Sequence, residues 1–247
     1  MSETTYNVNE YFWSIQGEGR HMGYTAVFFR LQGCPVGCPW CDSKTTWMGG
    51  GTKMSLSDIV DAIDDLPYAD LIIITGGEPL IWNLDALLAT LQEAYFWADI
   101  HLETSGYVGF KGHWRPDWIT LSPKAAKAWH VDDEVLMKAS ELKFVVDDDF
   151  SPDDVKALLA KRARLLHTSD LTGPPDIPVY LMPEGAPPRP EMVEKTLAVL
   201  EEHYGWHFSP RLQYAYPEIG KREGHNNQII TKGEALQLMR QRRRDQS

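Results

Sequence analysis

Ala26-Val-Phe-Phe-Arg-Leu-Gln-Gly-Cys-Pro-Val-Gly-Cys-Pro-Trp-Cys-Asp42 joins a short apolar run to a loop that holds all three cysteines of the chain, Cys34, Cys38 and Cys41. Residues 26–31 have the β-branched and aromatic content of a strand. An odd number of thiols packed this closely is no disulfide framework, because one stays unpaired and the loop is too short to close well. The three can turn toward one point if a cluster or metal fills the space between them. Three ligands are one short of the four that a structural zinc or an ordinary [4Fe–4S] cluster takes from protein. C-x3-C-x2-C therefore points to a cubane with one iron open to a non-protein ligand. On spacing alone, a zinc site completed by a distant histidine and a set of buried free thiols stay open. Gly33, Pro35, Gly37 and Pro39 let the backbone bend tightly, and Trp40 offers an aromatic face beside the last cysteine.

Working outward, strands and helices alternate. Residues 70–75 form a buried-strand pattern that stops at Gly76-Gly77, and residues 100–103, 118–121, 141–146 and 178–182 read as four further strands. Helical spacing occurs over 55–63, with Ser55 or Ser57 as N-cap, and over 84–95, 152–166 and 190–204. This succession predicts an α/β fold with a parallel sheet wrapped by helices. About six strands are too few for a full barrel, so a partial (β/α)6-type barrel is expected, with ligands at the carboxyl ends of the strands. Residues 1–215 are assigned to this domain. Residues 216–247 are assigned to a C-terminal extension with a terminal helix from about Lys232.

The 247 residues, 43% hydrophobic, suffice for one large core. A net charge of −11 argues against a general nucleic-acid binder. The polar start Met1-Ser-Glu-Thr-Thr lacks the apolar region of a signal peptide, and no apolar stretch approaches the roughly 20 residues of a membrane span. Clustered free thiols fit a reducing compartment, so a cytoplasmic protein is expected.

Thr75-Gly-Gly-Glu-Pro79 closes the second strand. Two glycines let the backbone approach a ligand, and Glu78 adds a carboxylate suited to an ammonium group. With the cysteine triad this resembles the radical S-adenosylmethionine (SAM) superfamily. Within it, the chain resembles the 7-carboxy-7-deazaguanine synthase family through Ser14-Ile-Gln-Gly-Glu-Gly19, Phe29 to Lys44 with Thr46-Trp47, and Ile74 to Pro79. Glu103-Thr-Ser-Gly106, Ser122-Pro-Lys124 and Glu141 to Val146 extend the similarity, which runs over roughly residues 7–215.

The resemblance implies a carbon–nitrogen lyase that converts 6-carboxy-5,6,7,8-tetrahydropterin to 7-carboxy-7-deazaguanine with loss of ammonia, on the route to queuosine. It implies a [4Fe–4S] cluster on Cys34, Cys38 and Cys41, with SAM on the open iron regenerated each turnover, and no catalytic side chain beyond the cofactor. Gly76, Gly77 and Glu78 would line the methionine end of SAM, beside Trp40. Glu103, Ser105, Ser122 and Lys124 would take its ribose and carboxylate. Gln16, Gly17, Glu18, Arg30 and Thr75 would hold the pterin, with Arg30 on its carboxylate. Mg2+ would sit on Ser43, where many relatives carry Thr. Gln213 stands where a histidine is expected, and some thirty residues follow it. A flavodoxin- or ferredoxin-type electron donor and a homodimer are implied partners. Two other readings stay in view: another small radical SAM activating or modifying enzyme, which would lack Gln16-Gly-Glu-Gly19 and Arg30, and a non-catalytic zinc-binding adaptor.

Overall fold

The computed structural model describes residues 3–168 and 176–220. Nine strands form one sheet: β1 (Thr5–Ile15), β2 (Thr25–Leu31), β3 (Thr52–Ser55), β4 (Leu71–Gly76), β5 (Asp99–Thr104), β6 (Trp118–Leu121), β7 (Glu141–Val146), β8 (Val179–Pro183) and β9 (Trp206–Phe208). Their order is β3-β1-β2-β4-β5-β6-β7-β8-β9, with β3 and β9 as edges, so the sheet stays open. Neighbours from β2 to β9 are parallel, whereas β1 runs antiparallel to both β2 and β3.

All six expected strands are present, as β2 and β4 to β8. The count of six was too low. β1 carries Asn7, Asn9 and Glu10, residue types depleted in strands, and its register shifts between Val8 and Glu10. β3 and β9 have four and three residues, too few to show a period of two.

The helices are α1 (Leu56–Asp64), α2 (Asp85–Ala94), α3 (Asp133–Lys138), α4 (Pro152–Thr168), α5 (Pro190–Glu202) and the short α6 (Leu212–Ala215). Ser55 starts α1 through a capping box: its Oγ accepts from Asp58 N at 3.1 Å while Asp58 Oδ2 accepts from Ser55 N at 2.8 Å. Pro190 opens α5, where a missing N–H costs nothing.

Alternation along the strands sorts side chains between two faces. Phe29 and Leu31, Ile72 and Ile74, Ile100 and Leu102, then Leu142, Phe144 and Val146, join Leu87, Leu88 and Leu91 of α2 and Val155 and Leu158 of α4 in one buried apolar cluster. The intervening residues (Phe28, Arg30, Thr75, Glu103, Lys143, Val145 and Met182) point the other way and line a cavity. A one-residue slip of any strand would exchange the two sets.

Residues 216–220, beyond the expected boundary at 215, lie against β1: Ser14 Oγ donates to the Ile219 and Gly220 carbonyls at 3.5 and 3.4 Å. The terminal helix expected from Lys232 lies outside the described residues. Among those residues no helix is long and apolar enough to cross a membrane.

Candidate active site

The cavity, about 660 Å3, opens at the carboxyl ends of the parallel strands. Its floor begins with two loops zipped together. Gly77 N donates to Leu31 O at 3.1 Å, and Glu78 N to Gly33 O at 2.8 Å. The approach is so close that side chains are excluded. A Cβ on Gly76 (φ +139°) would lie 2.5 Å from Leu31 N, and one on Gly77 would lie 2.7 Å from the Cys34 Cβ. The glycines therefore seat the strand-end loop of β4 directly on the cysteine loop that follows β2.

Cys34, Cys38 and Cys41 all line the cavity. Burial pushes the Cys34 and Cys38 thiols above their ordinary values, so cations must compensate two thiolates held here. Ser43 N already donates to Cys41 Sγ at 3.3 Å. Among the described residues no three His, Cys, Asp or Glu side chains converge as a single metal ion requires. A cubane makes no such demand, because each cysteine binds its own iron. Among the described residues the donor set thus fits a [4Fe–4S] cluster better than a single metal ion. Trp40 beside it is fixed by an Nε1–H bond to Asp147 Oδ2 at 2.8 Å, with Lys124 Nζ 5.6 Å from its ring centre.

Glu78 departs from expectation. It is 1% exposed and absent from the cavity wall. Oε1 accepts from Leu80 N at 3.1 Å and Thr104 Oγ1 at 2.5 Å; Oε2 accepts from Ser105 N at 2.9 Å and from Ser105 Oγ. Its carboxylate is consumed in tying the loop after β4 to the end of β5, where Ser105 reaches the cavity. It positions the wall and does not line it.

Across the cavity stands a linked polar set. Gln16 Nε2 donates to Glu103 Oε1 at 2.9 Å while its Oε1 accepts from Glu18 N at 3.1 Å, so both ends of the amide are engaged. Lys143 Nζ donates to Glu18 Oε2 at 2.6 Å and lies 3.8 Å from Glu103 Oε1. Burial alone would raise the Glu18 carboxyl, but Lys143, Arg211 and a hydrogen bond from Gln213 overcome it and hold the group below its ordinary value. Burial likewise opposes charge on Lys143, yet Glu103 and Glu18 lift it above the usual lysine range. Lys124 shifts the other way: burial wins over the facing Cys38 and leaves its ammonium easier to deprotonate. Its Nζ donates to Ser122 Oγ.

Arg30 is held through Nε by Glu10 at 2.9 Å. Ser43 Oγ donates to Asp42 Oδ1 at 3.1 Å, which sets two oxygens side by side at the rim. Gln213 closes over Gly17: a Cβ there would strike Gln213 Oε1 and lie 3.3 Å from Leu212 N.

Every expected site residue except Glu78 therefore faces one space. Three were missed. Lys143 carried a signal, since Glu141, Lys143 and Val145 alternate with the apolar Leu142, Phe144 and Val146, and charged residues at alternate positions of an otherwise buried strand mark an inward polar face. Arg211 and Tyr214 carried none. Arg211 is placed by long-range contacts, donating to Pro183 O at 3.3 Å and to Gly185 O, pairing with Asp42 at 3.8 Å and lying 5.0 Å from the Tyr214 ring centre.

Residues 29–127 match the model of the radical SAM superfamily. A 7-carboxy-7-deazaguanine synthase of Synechocystis sp. is 35% identical over 209 residues, covering 83% of this chain and 89% of that protein. Another from Aquifex aeolicus is 34% identical over 211 residues, covering 81% and 87%. The crystal structure of QueE from Escherichia coli superposes with a TM-score of 0.65 at 29% identity, covering 83% of this chain and 93% of that one.

Proposed function

Because the chain belongs to the 7-carboxy-7-deazaguanine synthase family of the radical SAM superfamily, we propose that its cavity converts 6-carboxy-5,6,7,8-tetrahydropterin to 7-carboxy-7-deazaguanine. Membership displaces the zinc adaptor and the activating enzyme as readings. The observation that carries the proposal is the meeting of Cys34, Cys38 and Cys41, the Gly76-Gly77 loop and the Gln16-Gly-Glu18 loop on one cavity.

Cys34, Cys38 and Cys41 would hold the cluster, and Gly76, Gly77, Ser105, Ser122, Lys124, Glu103 and Trp40 the SAM. Bound there, the cluster and SAM would supply the chemistry of hydrogen-atom abstraction from the substrate. The chain's own residues do the placing. Glu18, an anion on the opposite wall, accepts hydrogen bonds from the amino and ring N–H groups of a pterin edge. Gln16, engaged at both ends, fixes the Glu18 backbone and the Glu103 carboxylate and so shapes that wall. Arg30 offers its guanidinium to the substrate carboxylate, with Thr75 and Gly17 beneath the ring. Gln213 packs on Gly17 and bonds Glu18, limiting water at the substrate edge. The hydroxyl of Ser43, next to Asp42, provides an oxygen ligand for Mg2+, which would keep several waters. The same proposal includes a cytoplasmic location, a flavodoxin- or ferredoxin-type donor and a homodimer.

Anaerobic reconstitution followed by turnover with the tetrahydropterin, SAM and dithionite tests the proposal. A brown protein with about four irons per chain and a product of the mass of 7-carboxy-7-deazaguanine is expected. A loaded protein that cleaves SAM and leaves the pterin unchanged would overturn it.

A further inference from the structure

Among the described residues, Lys143 is the cation that ties both walls of the cavity together. It sits on β7, its side chain 6% exposed, with Nζ 2.6 Å from Glu18 Oε2 and 3.8 Å from Glu103 Oε1. Glu18 belongs to the loop between β1 and β2, 125 residues away in sequence, and Glu103 to the end of β5. No backbone hydrogen bond holds the Glu18 side chain among its described contacts; its direction is set by Lys143 and by the cap of Arg211 and Gln213.

Resting on the function proposed above, we propose that Lys143 is a positioning residue that fixes the Glu18 carboxylate for the donor edge of the pterin and links it to the cofactor-facing Glu103. A buried carboxylate without a partner turns away or takes up a proton. Either change destroys it as an acceptor for two N–H donors. By pairing with Oε2, Lys143 keeps the group ionised, with further lone pairs able to accept from substrate. By standing between two carboxylates, it also prevents Glu18 and Glu103 from repelling each other across the cavity.

The charged groups that bear on this pair come from several elements. Glu103 on β5 and Glu141 on β7 act on Lys143 together with Glu18. Arg211, from the segment after β9, acts on Glu18. Lys124, after β6, feels Lys143, Glu18, Glu78 and Cys38. Replacing Lys143 by Met removes the nearest cation from Glu18 and leaves Arg211, the more distant Lys124 and the Gln213 hydrogen bond to oppose burial. The Glu18 carboxyl then titrates at higher pH, and substrate recognition improves as pH rises.

The test compares the reconstituted wild type, Lys143→Met, Glu18→Gln and the double variant, reading KM, kcat and equilibrium pterin binding by fluorescence across about pH 6 to 9. The double variant leaves no Glu18 charge unpaired, which protects the fold. Expected is a KM and pterin Kd raised about tenfold or more in Lys143→Met near neutral pH, recovering toward wild type as pH rises, with kcat changed far less. In the Glu18→Gln background, the Lys143→Met change should add less than about twofold. A raised KM that ignores pH, a KM within about twofold of wild type, or penalties that multiply in the double variant would each overturn the role of Lys143. If the wild type binds no pterin at all, the function proposed above falls, and this inference with it.

Discussion

Replacing Glu78 by Gln should cost stability first and cofactor binding only as a consequence. Each carboxylate oxygen of Glu78 faces one backbone N–H, Leu80 N at 3.1 Å and Ser105 N at 2.9 Å, and one hydroxyl. A carboxylate accepts on both sides; an amide has one carbonyl and one NH2. Whichever way the substituted amide turns, a backbone N–H meets another donor in a buried site. Reversing the hydroxyls gives little relief, because Thr104 Oγ1 and Ser105 Oγ already accept from Gly106 N and Tyr107 N at 2.9 and 3.2 Å, and turning to accept from the amide as well would take their own protons off the Glu78 site. One stranded buried donor costs about 1–3 kcal/mol, and losing the charge on the remaining bonds brings the total to about 3 kcal/mol. For a chain of this size that lowers Tm by roughly 6–12 °C. Thermal and urea unfolding of the cluster-free proteins, followed by circular dichroism, measure it, and SAM affinity of the loaded proteins is read alongside. A variant that melts within about 1 °C of wild type but loses SAM affinity strongly would refute the reasoning and put Glu78 in contact with the cofactor.

His101, buried on β5 against His21 and Trp118, has its pKa pushed down to about 3 by burial and by the neighbouring His21. The unfolded chain therefore binds this proton more readily: stability is full above the ordinary 6.5 and falls by up to about 1.4 kcal/mol per pH unit between there and 3. Urea midpoints at about pH 7 and pH 5 should show this slope, and His101→Gln should flatten it; an equal slope in the variant would remove His101 as its source. Gly77→Ala drives a methyl into the Gly33 carbonyl and Cys34, so iron retained after anaerobic reconstitution should drop well below the wild-type content; full loading would show that the two loops can part freely. Gly17→Ala meets Gln213 Oε1 and should destabilise by about 1–3 kcal/mol. Trimming the neighbour in Gly17→Ala/Gln213→Ala should return most of that loss in urea unfolding, and no recovery would mean that Gln213 is not the obstacle.

The amino-acid sequence by itself determined the elements that depend on neighbours in the chain. Strands β2 and β4 to β8 carry the apolar and β-branched residues that commit them to a sheet, and a serine at 55 or 57 marks the start of α1, of which Ser55 proves to be the cap. The cysteine triad, Gly76-Gly77 and Gln16-Gly-Glu18 are local signatures as well, each placed on a loop by its glycines. What only the tertiary structure decided is how distant segments share the cavity. β1 is stabilised by partners on both sides, which outweigh the weak strand preference of its Asn and Glu residues. Glu78 shows the same limit from the other side: its carboxylate suits a ligand, but Thr104 and Ser105, 26 and 27 residues on, claim it first. Lys143 and Arg211 enter the site across 125 and 169 residues of chain, to Glu18 and Asp42 respectively. A charge buried that deeply is tolerated only when an opposite charge arrives to meet it. That meeting is fixed by the order and phase of the strands, which no window along the sequence contains.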